Sequence, residues 1–169
     1  LDRIHSPELK KDIQEFIKSS GCKSFKFLPL KATTGGVSAP NYCVVSSNLY
    51  HVPLNIYLYI ILHEIAHQFQ YKKYGNNVAM PVYDSTPLEE SLDTLLYLES
   101  QADRLAIFKL KQLNKKHGLN LEIPSYRYLG MKNTDKLKSY IREMKVEIAK
   151  ANLNDIDSIN EYILNKYLS

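Results

Sequence analysis

The chain has 169 residues, 44% of them hydrophobic, enough to bury a core of its own and too apolar for a disordered tail. Its 22 basic and 18 acidic residues leave a formal charge of +4 that is spread along the chain, and nothing resembles the concentrated basic stripe of a nucleic-acid binder. Two cysteines, Cys22 and Cys43, exclude a disulfide framework, and no run approaches the ~18 apolar residues of a membrane span. A reducing, cytoplasmic setting is the expectation. Leu1 is not a methionine and no basic-then-apolar leader follows it, so a leader removed upstream is the alternative.

In chain order, Ser6-Pro7 reads as a helix start, followed by Leu9, Ile13, Phe16 and Ile17 at helical spacing up to Gly21. This helix is expected to flank the fold without chemistry. Phe25 and Phe27 then alternate with Ser24 and Lys26, a half-exposed strand ended by Pro29. Thr33-Thr34-Gly35-Gly36 reads as a turn, and Tyr42-Cys43-Val44-Val45 as a second strand. The edge of such a small sheet, near Phe25 to Leu30 or Tyr42 to Val45, could hold an extended peptide through main-chain hydrogen bonds.

A second helix is expected from Pro53 to about Lys73, closed by Gly75, and most of it is apolar all round. Within it lies His63-Glu64-Ile65-Ala66-His67. Residues four apart lie one above the other on a helix, so the two imidazoles can share one Zn²⁺ at about 2.0 to 2.1 Å, and Glu64 can reach a bound water as general base. An ordinary pair of core histidines would not explain a glutamate in so apolar a run.

Asn76 to Ser85 contains Pro81 and no period, which makes it a loop at the mouth of the site. Thr86-Pro87-Leu88-Glu89 suggests a capping box, with Thr86 as cap, Pro87 in the first turn and Glu89 at the third helical position. The helix it opens is expected to run from Leu88 to His117 and stop at Gly118, with Leu88, Leu92, Leu95, Ala102, Ala106, Leu110 and Leu113 as its apolar stripe. Glu99 falls on that stripe, where a carboxylate is costly unless it meets a positive partner, and it is therefore the expected third ligand. Asp103, one turn on, is expected to accept the outward ring N–H of a ligating histidine. Glu89 and Glu90 are weaker alternatives, because carboxylates in a first helical turn are favoured without any metal.

Beyond Leu119 the chain reads as helical. Pro124 and Gly130 interrupt it around Tyr126 and Tyr128, Thr134 caps a helix through Leu137, Ile141, Met144 and Ile148, and Asn154 or Asp155 starts another through Ile156, Ile159 and Ile163. Lysines and glutamates alternate there as on a solvated face, which argues against a helix-turn-helix.

His63-Glu64-Ile65-Ala66-His67 followed by Glu99-Ser100-Gln101-Ala102-Asp103-Arg104-Leu105-Ala106 resembles the zinc metallopeptidases of the ImmA/IrrE type. The resemblance spans about Tyr42 to Leu110, with Leu105 where phenylalanine is usual and an extra stretch around Val78 to Pro87. It implies His63, His67 and Glu99 as zinc ligands, Glu64 as catalytic base and Asp103 in support of His63. It also implies an α+β, mostly helical metallopeptidase-like fold with a small three-stranded antiparallel sheet before the metal helix. The expected organisation is one domain over residues 1–169, with 119–169 as its helical C-terminal extension. The expected activity is zinc-dependent hydrolysis of peptide bonds in a specific protein or peptide substrate, which could itself be a regulatory protein, with no nucleic-acid partner and no membrane span. The alternative is a zinc-containing, non-catalytic protein-binding module. A second donor for the oxyanion stays open among Tyr71, Tyr83 and Tyr126, and His51 and His117 are expected at the surface or beside the ligands.

Overall fold

A computed structural model describes residues 1–169 and is α+β and mostly helical. The first helix, α1, spans Pro7–Ser19, and Ser6 caps it by accepting the Leu9 N–H. Leu9 and Ile13 enter the main core, so α1 contributes to the core as well as flanking it.

Three short strands follow: β1 at Ser24–Leu28, β2 at Gly36–Ala39 and β3 at Tyr42–Ser46. Their order is β1-β3-β2, with β1 parallel and β2 antiparallel to β3. This corrects the sequence reading twice. The sheet is mixed rather than antiparallel, because the chain passes across the sheet through β2 before β3 returns in the direction of β1. The segment read as a turn at Gly36 is the start of β2, a four-residue strand with a glycine and too little β-branched content to register as one. Asn41, at φ 71°, makes the tight return from β2 to β3.

As the middle strand, β3 is buried on both faces. Cys43 and Val45 join the core built by the following helix, whereas Val44 faces a second core with Met144, Ile148, Ile159 and Ile163. Helices α2 (Leu54–Tyr74) and α3 (Leu88–His117) lie on the first side, and α4 (Asp135–Lys150) and α5 (Ile156–Tyr167) on the second. Residues 119–169 thus cover the far face of the sheet. Leu168 bridges Leu30, and the Lys31 N–H donates to the Tyr167 carbonyl at 2.9 Å.

The long helices end where the sequence suggests. Gly75 follows α2, and Gly118, in the left-handed conformation at φ 59°, closes α3. The expected capping box does not form. Pro87 has extended backbone and takes the cap position itself, which puts the Thr86 hydroxyl one residue too early, and Glu89 pairs with Lys138 at 3.5 Å. The carbonyl of Thr86 instead accepts from Ser91 Oγ and Lys145 Nζ, which ties this corner to α4. No helix is long and apolar enough to cross a membrane.

Candidate metal centre

α2 lies between the sheet and α3, so residues all round it are buried, His63 and Glu64 among them. Gln68, one turn after Glu64, donates from its amide to the carbonyls of Ala39 (2.7 Å) and Tyr42 (2.9 Å) and fixes the helix to the β2–β3 turn. Ser38 Oγ donates to the Glu64 carbonyl at 3.1 Å. These bonds set the rotation of α2, and His63 and His67 then face α3.

The side chains of His63, His67 and Glu99 form a group able to hold a metal ion. His63 Nε2 lies 3.2 Å from His67 Nε2, Glu99 Oε2 lies 3.1 Å from His63 Nε2, and Glu99 Oε1 lies 3.2 Å from His67 Nε2. Ligands bonded at about 2.0 to 2.1 Å in a tetrahedron stand about 3.3 Å apart; the two Nε2 atoms have this spacing, each lies at about this distance from one Glu99 oxygen, and one ligand atom from each residue lies within 4.8 Å of the others.

The outer ring nitrogens settle which lone pairs point inward. Gln70 Nε2 donates to the Leu98 carbonyl at 2.8 Å and to Gln101 Oε1 at 3.0 Å, leaving Gln70 Oε1 to accept from His67 Nδ1 at 2.7 Å. His67 therefore carries its proton on Nδ1 and turns an Nε2 lone pair to the centre. His63 Nδ1 is buried without a well-aligned hydrogen bond, and the nearest acceptor is Asp103 Oδ1 at 3.3 Å. Small ring rotation on binding a cation would complete that bond, the usual way of fixing a ligating imidazole. The residues thus fit a divalent cation.

Electrostatics agree with the geometry. Burial alone would lower the pKa of His67, but the Glu99 carboxylate outweighs it and pushes the value up to about 9. Burial would raise Glu99, yet His67 and His63 hold its carboxyl well below the usual range. A divalent cation competes for the same lone pairs as these protons. Glu64 has its pKa raised by burial, which His63 and His67 only partly offset.

Asp103 is fully buried, and its carboxylate has four neighbours. Oδ1 accepts from the Tyr59 hydroxyl and faces His63, while Oδ2 accepts the backbone N–H groups of Arg127 and Tyr128, each at 2.9 Å. One side chain thus joins α2, α3 and the α3–α4 connection. Tyr128 is held with its ring 6.2 Å from that of His63, at 27° between planes.

These residues open on a cleft of about 1030 Å³. Glu64 and the three candidate metal-binding side chains line it together with Gly36, Val37 and Ser38 of β2 and with Val82, Tyr83, Tyr140 and Tyr167. Gly36 matters here for its lack of a side chain, since a Cβ would sit 2.5 Å from Glu64 Cγ and 2.8 Å from Oε2. The sheet edge facing the cleft is β2, not the segments expected from sequence. Tyr42–Val45 belongs to the central strand and has no free edge, and β1 lies on the side away from β2.

Other expected positions separate clearly. Glu89 and Glu90 are exposed at the start of α3 and outside the cleft. Tyr126 is exposed and away from it, the Tyr71 hydroxyl donates to the Ser38 carbonyl at 3.0 Å, and Tyr83 lines the cleft with a pKa pushed up to about 12 by burial. His51 lies on the cleft wall, and His117 pairs with Asp12 at 2.7 Å across the fold. Sequence reasoning missed Tyr59, Gln70, Arg127, Tyr128 and Gly36. Tyr59 is one turn before His63 and Gln70 three residues after His67, so helical spacing could have found those two. Comparison of this chain with family models, with curated proteins and with solved structures gives no match.

Proposed function

We propose that the protein is a zinc-dependent metallopeptidase, similar in its motifs to the ImmA/IrrE type, that hydrolyses peptide bonds of a specific protein substrate. The observation that carries this reading is the convergence of two imidazole Nε2 atoms and the Glu99 carboxylate within hydrogen-bonding distance of one another, beside Glu64 in an open cleft. Two nitrogens and one carboxylate with a free side are the donor set of a catalytic zinc, and harder cations prefer all-oxygen sites.

Zinc at this position supplies Lewis acidity, lowering the pKa of a water and polarising a carbonyl. Glu64 accepts a proton on its carboxylate and returns it to the leaving amine; it is buried beside the two imidazoles, and burial raises its pKa above the ordinary carboxylate value. Gln70 holds the Nδ1 proton of His67, and Asp103 Oδ1, 3.3 Å from His63 Nδ1, is the acceptor placed to orient His63 once its ring aligns. Gly36 leaves Glu64 room in the cleft. The β2 edge recognises an extended backbone. Ser46 N–H donates to the Gly35 carbonyl, and alternation along an antiparallel strand then turns the Gly36 and Ser38 main-chain groups away from β3, although the Ser38 carbonyl is taken by Tyr71. Tyr128, rather than Tyr71 or Tyr126, is the tyrosine best situated to donate to a developing oxyanion, since it packs beside His63 on the cleft wall.

The test compares the parent with Glu64→Gln, both zinc-loaded, in a lysate of the source cell, reading new protein N-termini by mass spectrometry. Termini that form only with the parent are expected. Identical termini from both, with a specific partner captured by the folded protein, would replace this reading by the non-catalytic zinc-containing binding module.

A further inference from the structure

We propose that Arg127 makes the cleft selective for a peptide carrying a carboxylate close to the bond at the metal centre. This rests on the peptidase reading for the word substrate, although the binding preference itself does not require turnover. The side chain of Arg127 is exposed on the cleft wall and forms no ion pair. Its guanidinium lies 5.3 Å from the ring centre of Tyr128, which itself packs on His63, so a single ring separates the charge from that candidate ligand. Glu64 and Asp103 both feel it.

The segment that carries Arg127 has no regular structure but is held at three points. Asp103 accepts the backbone N–H groups of Arg127 and Tyr128, Asn114 Oδ1 accepts the Leu121 N–H at 2.8 Å, and Asn55 Nδ2 donates to the Glu122 carbonyl at 2.8 Å. A fixed backbone beneath an unpaired guanidinium favours anion binding: the ordering cost of the main chain is met by folding, and the fork of donors suits a carboxylate. The remaining charges of the cleft agree. Its only acidic side chains are Glu64 and Glu99, and Lys31 is the one further cation among its Lys and Arg residues. With Glu99 facing the two imidazoles, Glu64 is the one other acidic side chain of the lining, and neither carboxylate is ion-paired with Arg127. The carboxylate could come from an aspartate or glutamate side chain or from a free C-terminus.

Three probes separate these sources: acetyl-Ala-Asn-Ala-amide, acetyl-Ala-Asp-Ala-amide, and acetyl-Ala-Asn-Ala with a free C-terminus. Each is titrated into zinc-loaded Glu64→Gln protein by NMR, with the amide signals of Arg127 and Tyr128 as local reporters. At least one carboxylate probe should bind roughly three- to tenfold more tightly than the neutral probe, in line with a partly solvated charge-assisted pair. The preference should vanish with Arg127→Gln, return in part with Arg127→Lys and survive Lys31→Gln. These changes spare the fold because Asp103 holds the backbone of Arg127, not its side chain. Equal affinity for all three probes, no binding of any, or a preference that outlives Arg127→Gln overturns the proposal. An acidic preference in a protein that releases no new termini in lysate would leave it standing and refute the peptidase reading alone.

Discussion

Gly36→Ala tests the position of Glu64 without touching His63, His67 or Glu99, the candidate metal-binding side chains. The new methyl would lie 2.5 Å from Glu64 Cγ and 2.8 Å from its Cδ, whereas ordinary carbon contacts begin near 3.5 Å, so about 1 Å of separation must be found. The β2 backbone cannot easily supply it, because Ser38 and Ala39 are bonded to α2 through Glu64 and Gln68. The Glu64 side chain therefore gives way by rotating. Overpacking of this kind costs about 1 to 3 kcal/mol, more than the roughly 0.4 to 1 kcal/mol that alanine recovers by restricting the unfolded chain. A displacement of this size at a reacting group lowers turnover by on the order of 100-fold. Zinc affinity, read by competition with a chromogenic chelator, should stay within about threefold of the parent, since His63, His67 and Glu99 are not displaced. Gly35→Ala is the control: the three nearest neighbours of its Cβ would be Ile60 side-chain atoms at 3.4 to 3.7 Å, ordinary contact distances, and both stability and turnover should be close to the parent. Parental turnover in a folded Gly36→Ala protein would refute the placement of Glu64 as the base beside β2.

Glu99→Gln should lower zinc affinity strongly in the same chelator assay and Glu90→Gln should leave it unchanged; equal affinities for Glu99→Gln and the parent would remove Glu99 from the site. Asp103→Asn should have a double effect, a loss of about 10- to 100-fold in zinc affinity through His63 and a fall of about 2 kcal/mol in stability, because the amide cannot serve Tyr59, His63 and two backbone N–H groups as the carboxylate does. Limited proteolysis should then cut near Arg127, and an uncut Asp103→Asn protein would show that other contacts hold this segment. Asp12 has its pKa depressed below 3.8 by hydrogen bonds from Lys116 and then His117, so its contribution to stability is present above that ordinary value and is lost as the pH falls through the lower folded value. Thermal melts from pH 6 to 2 should therefore show a steeper acid loss for the parent than for Asp12→Asn, and parallel curves would refute the linkage.

The two long helices and their charged contents were legible because both signals are local. His63 and His67 share a face by helical spacing alone, and Glu99 declared itself as a carboxylate on the stripe of Leu92, Ala102 and Ala106, since the cost of an unpartnered buried charge does not depend on the fold. Gly118 marked the end of α3 through its own conformational freedom. Tertiary structure alone decided the rest. β2 is a strand because Ser38 and Ala39 bond to α2 and β3, not because Gly-Val-Ser-Ala favours extension. The parallel pairing of β1 with β3 follows from the path of the chain across the sheet, which no strand's own residues encode. Asp103 was readable as a partner of His63, but its grip on the amides of Arg127 and Tyr128 joins positions 24 and 25 residues apart, and backbone N–H groups carry no sequence signature. Nor could Gly36 be linked to Glu64 beforehand, because the absence of a Cβ acquires meaning only when another side chain occupies the space.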